Sequence, residues 1–114
     1  MNLYEHTIIL RQDLSEKEVG KIKQKYIELI EKNNGNVIKI ENWGIMNLSY
    51  VIKKNKKGNY LHFKFKFEPQ NIFELEKNEK IDKNILRFLT IKVKKFDLEK
   101  NYFENSETKI NANL

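Results

Sequence analysis

Between Leu61 and Phe67 the chain alternates without a break: Leu61, Phe63, Phe65 and Phe67 take one parity, and His62, Lys64 and Lys66 the other. Successive side chains of a β-strand point to opposite faces, so this pattern predicts a strand with one buried side and one polar side. Such a strand needs neighbours to pair with and an apolar layer to cover its phenylalanines. On this reading His62 is a solvated residue that could contact a partner.

The covering layer is legible near the N-terminus. Ser15 and Glu18 have capping-box spacing, in which hydroxyl and carboxylate each satisfy a free backbone amide at a helix start. Val19, Ile22, Tyr26 and Leu29 follow at steps of three and four, placing one apolar stripe toward a core. Gly35, after Asn33-Asn34, suits the helix end because glycine accepts positive φ.

The other elements are read around these two. Leu3 to Leu10 forms a first strand, and Val37 to Ile52 an extended segment with a bulge or bend at Trp43-Gly44. Lys53 to Gly58 is read as a turn, making a β-hairpin with the alternating strand. Pro69 opens a second helix carrying a thin apolar face of Ile72 and Leu75 and ending near Asn78. Ile85 to Val93 is the last strand. The order β-α-β-β-α-β predicts an α+β, ferredoxin-like two-layer sandwich, with a four-stranded antiparallel sheet and both helices on one face. The folded domain is expected over residues 1–95, with 96–114 a polar tail.

Catalysis finds no support. Cysteine is absent, which removes disulfides, thiolate metal sites and thiol nucleophiles together. His6 and His62 are the only histidines, and each falls in a strand with no motif around it. His6 reads as a satisfied, partly buried side chain. Glu74, Glu76 and Glu79 read as the solvated face of the second helix, beside Lys77 and Lys80. No Walker loop, dinucleotide fingerprint or metal-ligand spacing occurs, so neither cofactor nor metal is expected. Arg11-Gln12-Asp13 lacks the glycines of a phosphate-cradling catalytic loop. With no long apolar run and no secretory signal pattern, a cytoplasmic location is expected.

What remains is charge. The formal net charge is +6, and only Arg11 and Arg87 are arginines among the 22 Lys and Arg residues. Lysine acts as a mobile point charge where arginine gives bidentate readout, so contact with a polyanion's backbone is favoured over reading of bases. Lys53, Lys54, Lys56 and Lys57 sit within five positions, and Lys64 and Lys66 extend the charge. Two alternatives stay open: a lysine-rich turn that only keeps a strand edge soluble, and basicity that reflects a genome rich in Lys, Asn and Ile codons. The RNA-recognition-motif signature begins at Lys57-Gly58 but breaks at Asn59 and Tyr60.

Set end to end, several short words resemble one family. They are Tyr4-Glu5, Gly35, Asn42-Trp43-Gly44-Ile45, Leu48-Ser49-Tyr50, the run Ile52 to Gly58, and Ile85-Leu86-Arg87-Phe88-Leu89-Thr90. Their order and spacing, from Asn2 to about Lys94, resemble the bacterial small-subunit ribosomal protein S-six family, and its alphaproteobacterial members most. The resemblance implies the fold derived above and a structural, non-enzymatic role. It also implies binding to the central domain of small-subunit ribosomal RNA, as a heterodimer with ribosomal protein S-eighteen.

By position, the resemblance implies RNA contacts at Tyr4, Arg87 and Lys92, with Lys53, Lys54, Lys56 and Lys57 in the basic hairpin. Leu89 and Ile91 would face the partner protein. The chain departs from the family at Asn2, Met46 and Asn47, where basic residues are usual, at Val51 after Tyr50, and at Glu79 in place of an apolar residue. With those basic residues missing, binding is expected to depend on the partner. The alternative function is a ferredoxin-like interaction or ligand-binding module that forms a homodimer through its open sheet face.

Overall fold

The computed structural model describes residues 1–97. The elements are β1 (Asn2–Arg11), α1 (Glu16–Lys32), β2 (Asn36–Ile52), β3 (Asn55–Phe67), α2 (Pro69–Ile81) and β4 (Ile85–Val93). The strands form one antiparallel sheet in the order β2-β3-β1-β4, which is the ferredoxin-like arrangement. The expected tail lies, from residue 98 onward, outside the described residues.

α1 starts as its sequence dictates. The Ser15 hydroxyl accepts from the Glu18 amide, and the Glu18 carboxylate accepts from the Ser15 amide. Hydrogen bonds to the exposed Glu18 carboxyl from the Ser15 backbone amide, and from its hydroxyl, hold it below its usual range. The buried stripe is Val19, Ile22, Tyr26 and Ile30, with Leu29 only partly covered. The helix ends in a Schellman pair, Asn34 N to Glu31 O at 3.1 Å and Gly35 N to Ile30 O at 2.8 Å. Positive φ falls on Asn34 (65°), not on Gly35. Glycine is required at 35 for a different reason: a Cβ there would meet Phe67 Cδ1 at 2.6 Å and the Ile30 carbonyl at 2.8 Å.

The core lies between sheet and helices. Ile8 and Leu10 of β1 and Leu61, Phe63, Phe65 and Phe67 of β3 are buried against Tyr26, Ile30 and Leu75. The two-residue period of β3 is therefore real, but from Leu61 to Phe67 its polar side is solvated only at Lys66. His62 is 4% exposed and Lys64 1% exposed. Nor does α2 stop near Asn78; it continues to Ile81, and this extra turn carries Glu79, 1% exposed, into the interior. The expected solvated acidic face is corrected at that residue.

The hairpin is tighter than the sequence implied. β3 begins at Asn55, so the turn is only Lys53-Lys54, with φ of 48° and 69°. Two successive positive φ values match the twist of paired strands, and no Gly or Pro marks the place. Asn55 Nδ2 donates to the carbonyl of Lys53 at 3.0 Å and of Ile52 at 3.3 Å, holding the turn. Lys56 and Lys57 therefore lie on a strand. The bend expected at Trp43-Gly44 is present as a register shift, with Gly44 at φ 81°.

Candidate nucleic-acid interface

Register assigns each expected site residue to a face. Tyr4, His6, Ile8 and Leu10 point toward the helices, whereas Glu5, Thr7 and Ile9 point to the open side. Arg87 pairs with Ile9, Leu89 with Thr7 and Ile91 with Glu5, so these three belong to the open side. Lys92 pairs with Tyr4 and takes the opposite face at the rim. Leu89 and Ile91 are 58% and 50% exposed on β4, which is an edge strand.

This assignment puts Tyr4 on the helix side of β1. Its ring packs in the core, 5.9 Å from the Phe65 ring, and is closed to stacking by any outside partner. The tyrosine parity in β1 alternates with Glu5 in the sequence, so the signal for burial was present.

The basic residues meet at one end of the sheet. The β2–β3 hairpin reaches past β1, and Arg87 Nη1 donates to the Tyr50 hydroxyl at 2.7 Å. The guanidinium also sits 5.4 Å from the Tyr50 ring centre, close enough for a cation–π contact. Lys53 is thereby brought to a cleft that Arg87 and Lys80 also line, floored by Glu79. Lys53, Lys54, Lys56 and Lys57 are all exposed. Of the expected set, the structure brings Lys53 and Arg87 together, and leaves Lys92 on the other face. Lys80 and Tyr50 were missed as members of this cluster; no local motif marks either, because only the curl of the hairpin joins them.

The middle of the open side carries a bonded polar layer. Lys64 Nζ donates to Glu41 Oε2 at 2.7 Å, and the Trp43 indole donates to Glu41 Oε1 at 3.0 Å. Burial pushes the Glu41 carboxyl up, yet these bonds and the charges of Lys64 and Lys39 hold it below its ordinary value. His62 shares a hydrogen bond with Thr7 Oγ1 at 2.8 Å, lies 3.4 Å from Glu5 Oε1, and is stacked under Trp43 at 4.6 Å. Burial, with the charge of Lys64, depresses its pKa to about 4, against the pull of Glu5 and Glu41. The histidine is thus a neutral, packed residue at physiological pH.

On the core side, His6 Nε2 meets Glu79 Oε2, and Nδ1 lies 2.6 Å from Thr90 Oγ1. Thr90 has one hydroxyl hydrogen and gives it to Glu76 Oε2 at 2.9 Å, so it accepts from Nδ1–H. Burial raises the Glu79 pKa, opposed by its bond to His6. Among the described residues no group of three His, Cys, Asp or Glu could hold a metal ion. No described helix is long and apolar enough to cross a membrane.

Comparison with known proteins assigns the fold to a family. The family model described as "Ribosomal protein S6" matches residues 3–92. The chain is 56% identical over 107 residues to the small ribosomal subunit protein bS6 of Pelagibacter ubique, spanning 94% of this chain and 88% of that protein. It is 41% identical to the bS6 protein of Caulobacter vibrioides, spanning 87% and 79% respectively. Among solved structures, 30S ribosomal protein S6 from Thermotoga maritima superposes with a TM-score of 0.76 at 28% identity, covering 95% of this chain and 97% of that one. The chain belongs to the ribosomal protein S6 family, whose members are structural, non-enzymatic components of the cytoplasmic small ribosomal subunit.

Proposed function

We propose that this protein binds the central domain of small-subunit ribosomal RNA as a heterodimer with ribosomal protein S-eighteen, using Lys53, Lys54, Lys56, Lys57 and Arg87 on phosphates. The observation that carries the reading is the Tyr50–Arg87 bond, which joins the lysine hairpin to the start of β4. Charges from distant parts of the sequence then present one basic end to a polyanion. Lys92, on the opposite side of β4, supports a second and smaller contact. Tyr4, whose ring is in the core, stays in the proposed set through its hydroxyl alone, which accepts from Asn2 Nδ2 at 3.3 Å.

Leu89 and Ile91 support the partner assignment. They are exposed apolar residues on an edge strand whose outer backbone groups have no sheet neighbour among the described residues. A second protein can add a strand there and cover both side chains. Asn2, Met46 and Asn47 supply no charge, so the RNA affinity of the isolated chain is expected to be weak.

The test is equilibrium binding to a central-domain RNA fragment, with and without the partner protein. Tight binding only in the joint complex is expected, with a steep salt dependence. Equal affinity with and without the partner would overturn the heterodimer. A stable homodimer in sedimentation, indifferent to RNA, would favour the alternative of a self-associating module.

A further inference from the structure

The cleft at the basic end has a composition that the hairpin lysines alone do not account for. It has a volume of about 250 Å³, and its walls come from Lys53 of the β2–β3 turn, Lys80 of the last turn of α2, and Leu86, Arg87 and Phe88 of β4. Three basic residues from three separate elements therefore line one concavity. Among the described residues none of the three has a carboxylate partner. Basic side chains that share a concavity without ion-pair partners raise the local potential there and attract an anion.

Two further features fit an anion. Arg87 is aimed by its bond to Tyr50, so its remaining donors are pre-oriented and less side-chain entropy is lost on binding. The floor is Glu79, whose carboxyl would repel an anion if ionised. Burial raises its pKa and favours the neutral form.

We propose that the Lys53–Lys80–Arg87 cleft is a seat for one phosphodiester of the bound RNA, with Lys80 as a contact residue and Tyr50 as the residue that positions Arg87. The inference rests on the RNA-binding reading above and adds a site to it. It makes the cleft a fixed point of register on the RNA, where the exposed Lys54, Lys56 and Lys57 give only diffuse attraction.

The test compares Lys80→Ala with Lys77→Ala in the full chain bound to its partner. Both lysines are exposed on α2 and both changes remove one positive charge, but Lys77 does not line the cleft. Lys80→Ala is expected to lower RNA affinity several-fold and to reduce the salt slope by about 0.7 to 0.9, the share of one phosphate. Lys77→Ala should leave both near wild type. Tyr50→Phe should weaken RNA binding and cut the further loss caused by Arg87→Ala. Equal behaviour of the two lysine variants would overturn the seat, while loss of binding in a Lys53/Lys54/Lys56/Lys57→Ala variant would still support the wider RNA reading. Titration of the free protein with inorganic phosphate, followed through the backbone amides of 53, 80 and 87, separates sources. Saturation by free phosphate at low millimolar concentration would assign the cleft to a small anion and overturn the RNA phosphodiester.

Discussion

Arg87 on β4 bonds to Tyr50 near the far end of β2 at 2.7 Å, although β1 and β3 lie between those two strands in the sheet. The hairpin end therefore folds back over the sheet end instead of projecting away from it. Tyr50 is itself 61% exposed, so the bond is accessible to water and is worth at most about 1 kcal/mol. Tyr50→Phe should leave the melting temperature nearly unchanged. It should speed amide exchange across residues 50–57, because the contact restrains position more than it stabilises the fold. Unchanged exchange in that segment would show that the hairpin is held by its strand pairing alone.

The Lys64–Glu41 pair is buried on both sides. Lys64→Ala should destabilise by about 1–3 kcal/mol, since it takes one charged donor from a buried carboxylate that keeps the Trp43 indole and Lys39. Replacing both residues by apolar ones of similar size should cost much less. A double-mutant cycle in urea measures the difference, and a small loss in the single variant would refute the buried-pair reading.

Acid should weaken the fold in two steps. His62 has a folded pKa near 4 against an ordinary 6.5, so the unfolded chain binds more protons between those values. The contribution is complete above pH 6.5 and is lost as pH falls through the window, by at most about 1.4 kcal/mol per pH unit. Glu41, held low, adds a further loss as pH falls below its ordinary 4.5. Denaturant midpoints of His62→Gln should be flatter than wild type between pH 6.5 and 4.

Glu79 acts with the opposite sign. Its pKa is raised on folding, so its contribution is full below pH 4.5 and is lost as pH rises through the folded value. Glu79→Gln keeps a hydrogen-bonding group beside His6 and removes the ionisation. It should gain stability relative to wild type at pH 8 and match it at pH 4. Glu79→Leu alone should cost about 1–3 kcal/mol by leaving His6 Nε2 unbonded in the core. His6→Val with Glu79→Leu should recover that loss.

The element order and the ferredoxin-like fold were legible because they rest on local signals: the Ser15 capping box, the α1 stripe, and the alternation from Leu61 to Phe67. What escaped depends on neighbours. Alternation reports which side of β3 is polar, but not that Trp43, from a strand shifted by a bulge, would stack over His62. Glu79 was read as solvated because α2 was ended one turn early, and no periodicity discloses a histidine opposite on β1. The turn at Lys53-Lys54 carries none of the residues that usually mark positive φ. The cleft lay beyond reading for the same reason, since Lys53, Lys80 and Arg87 meet only after the hairpin curls. For Tyr4, the parity of β1 discloses the face that the ring takes.

The central place of β1 has a consequence for synthesis. Its two neighbours are β3 and β4, and Leu3 pairs with Val93 at the far end of the domain. β1 thus leaves the translating ribosome before either strand that it pairs with, and its pairings are completed last. β1 must stay unaggregated, with Ile8 and Leu10 unburied, until most of the chain has emerged. Its pairings span long loops, which places a large closure entropy before any reward and makes folding a late, concerted event of the nascent chain.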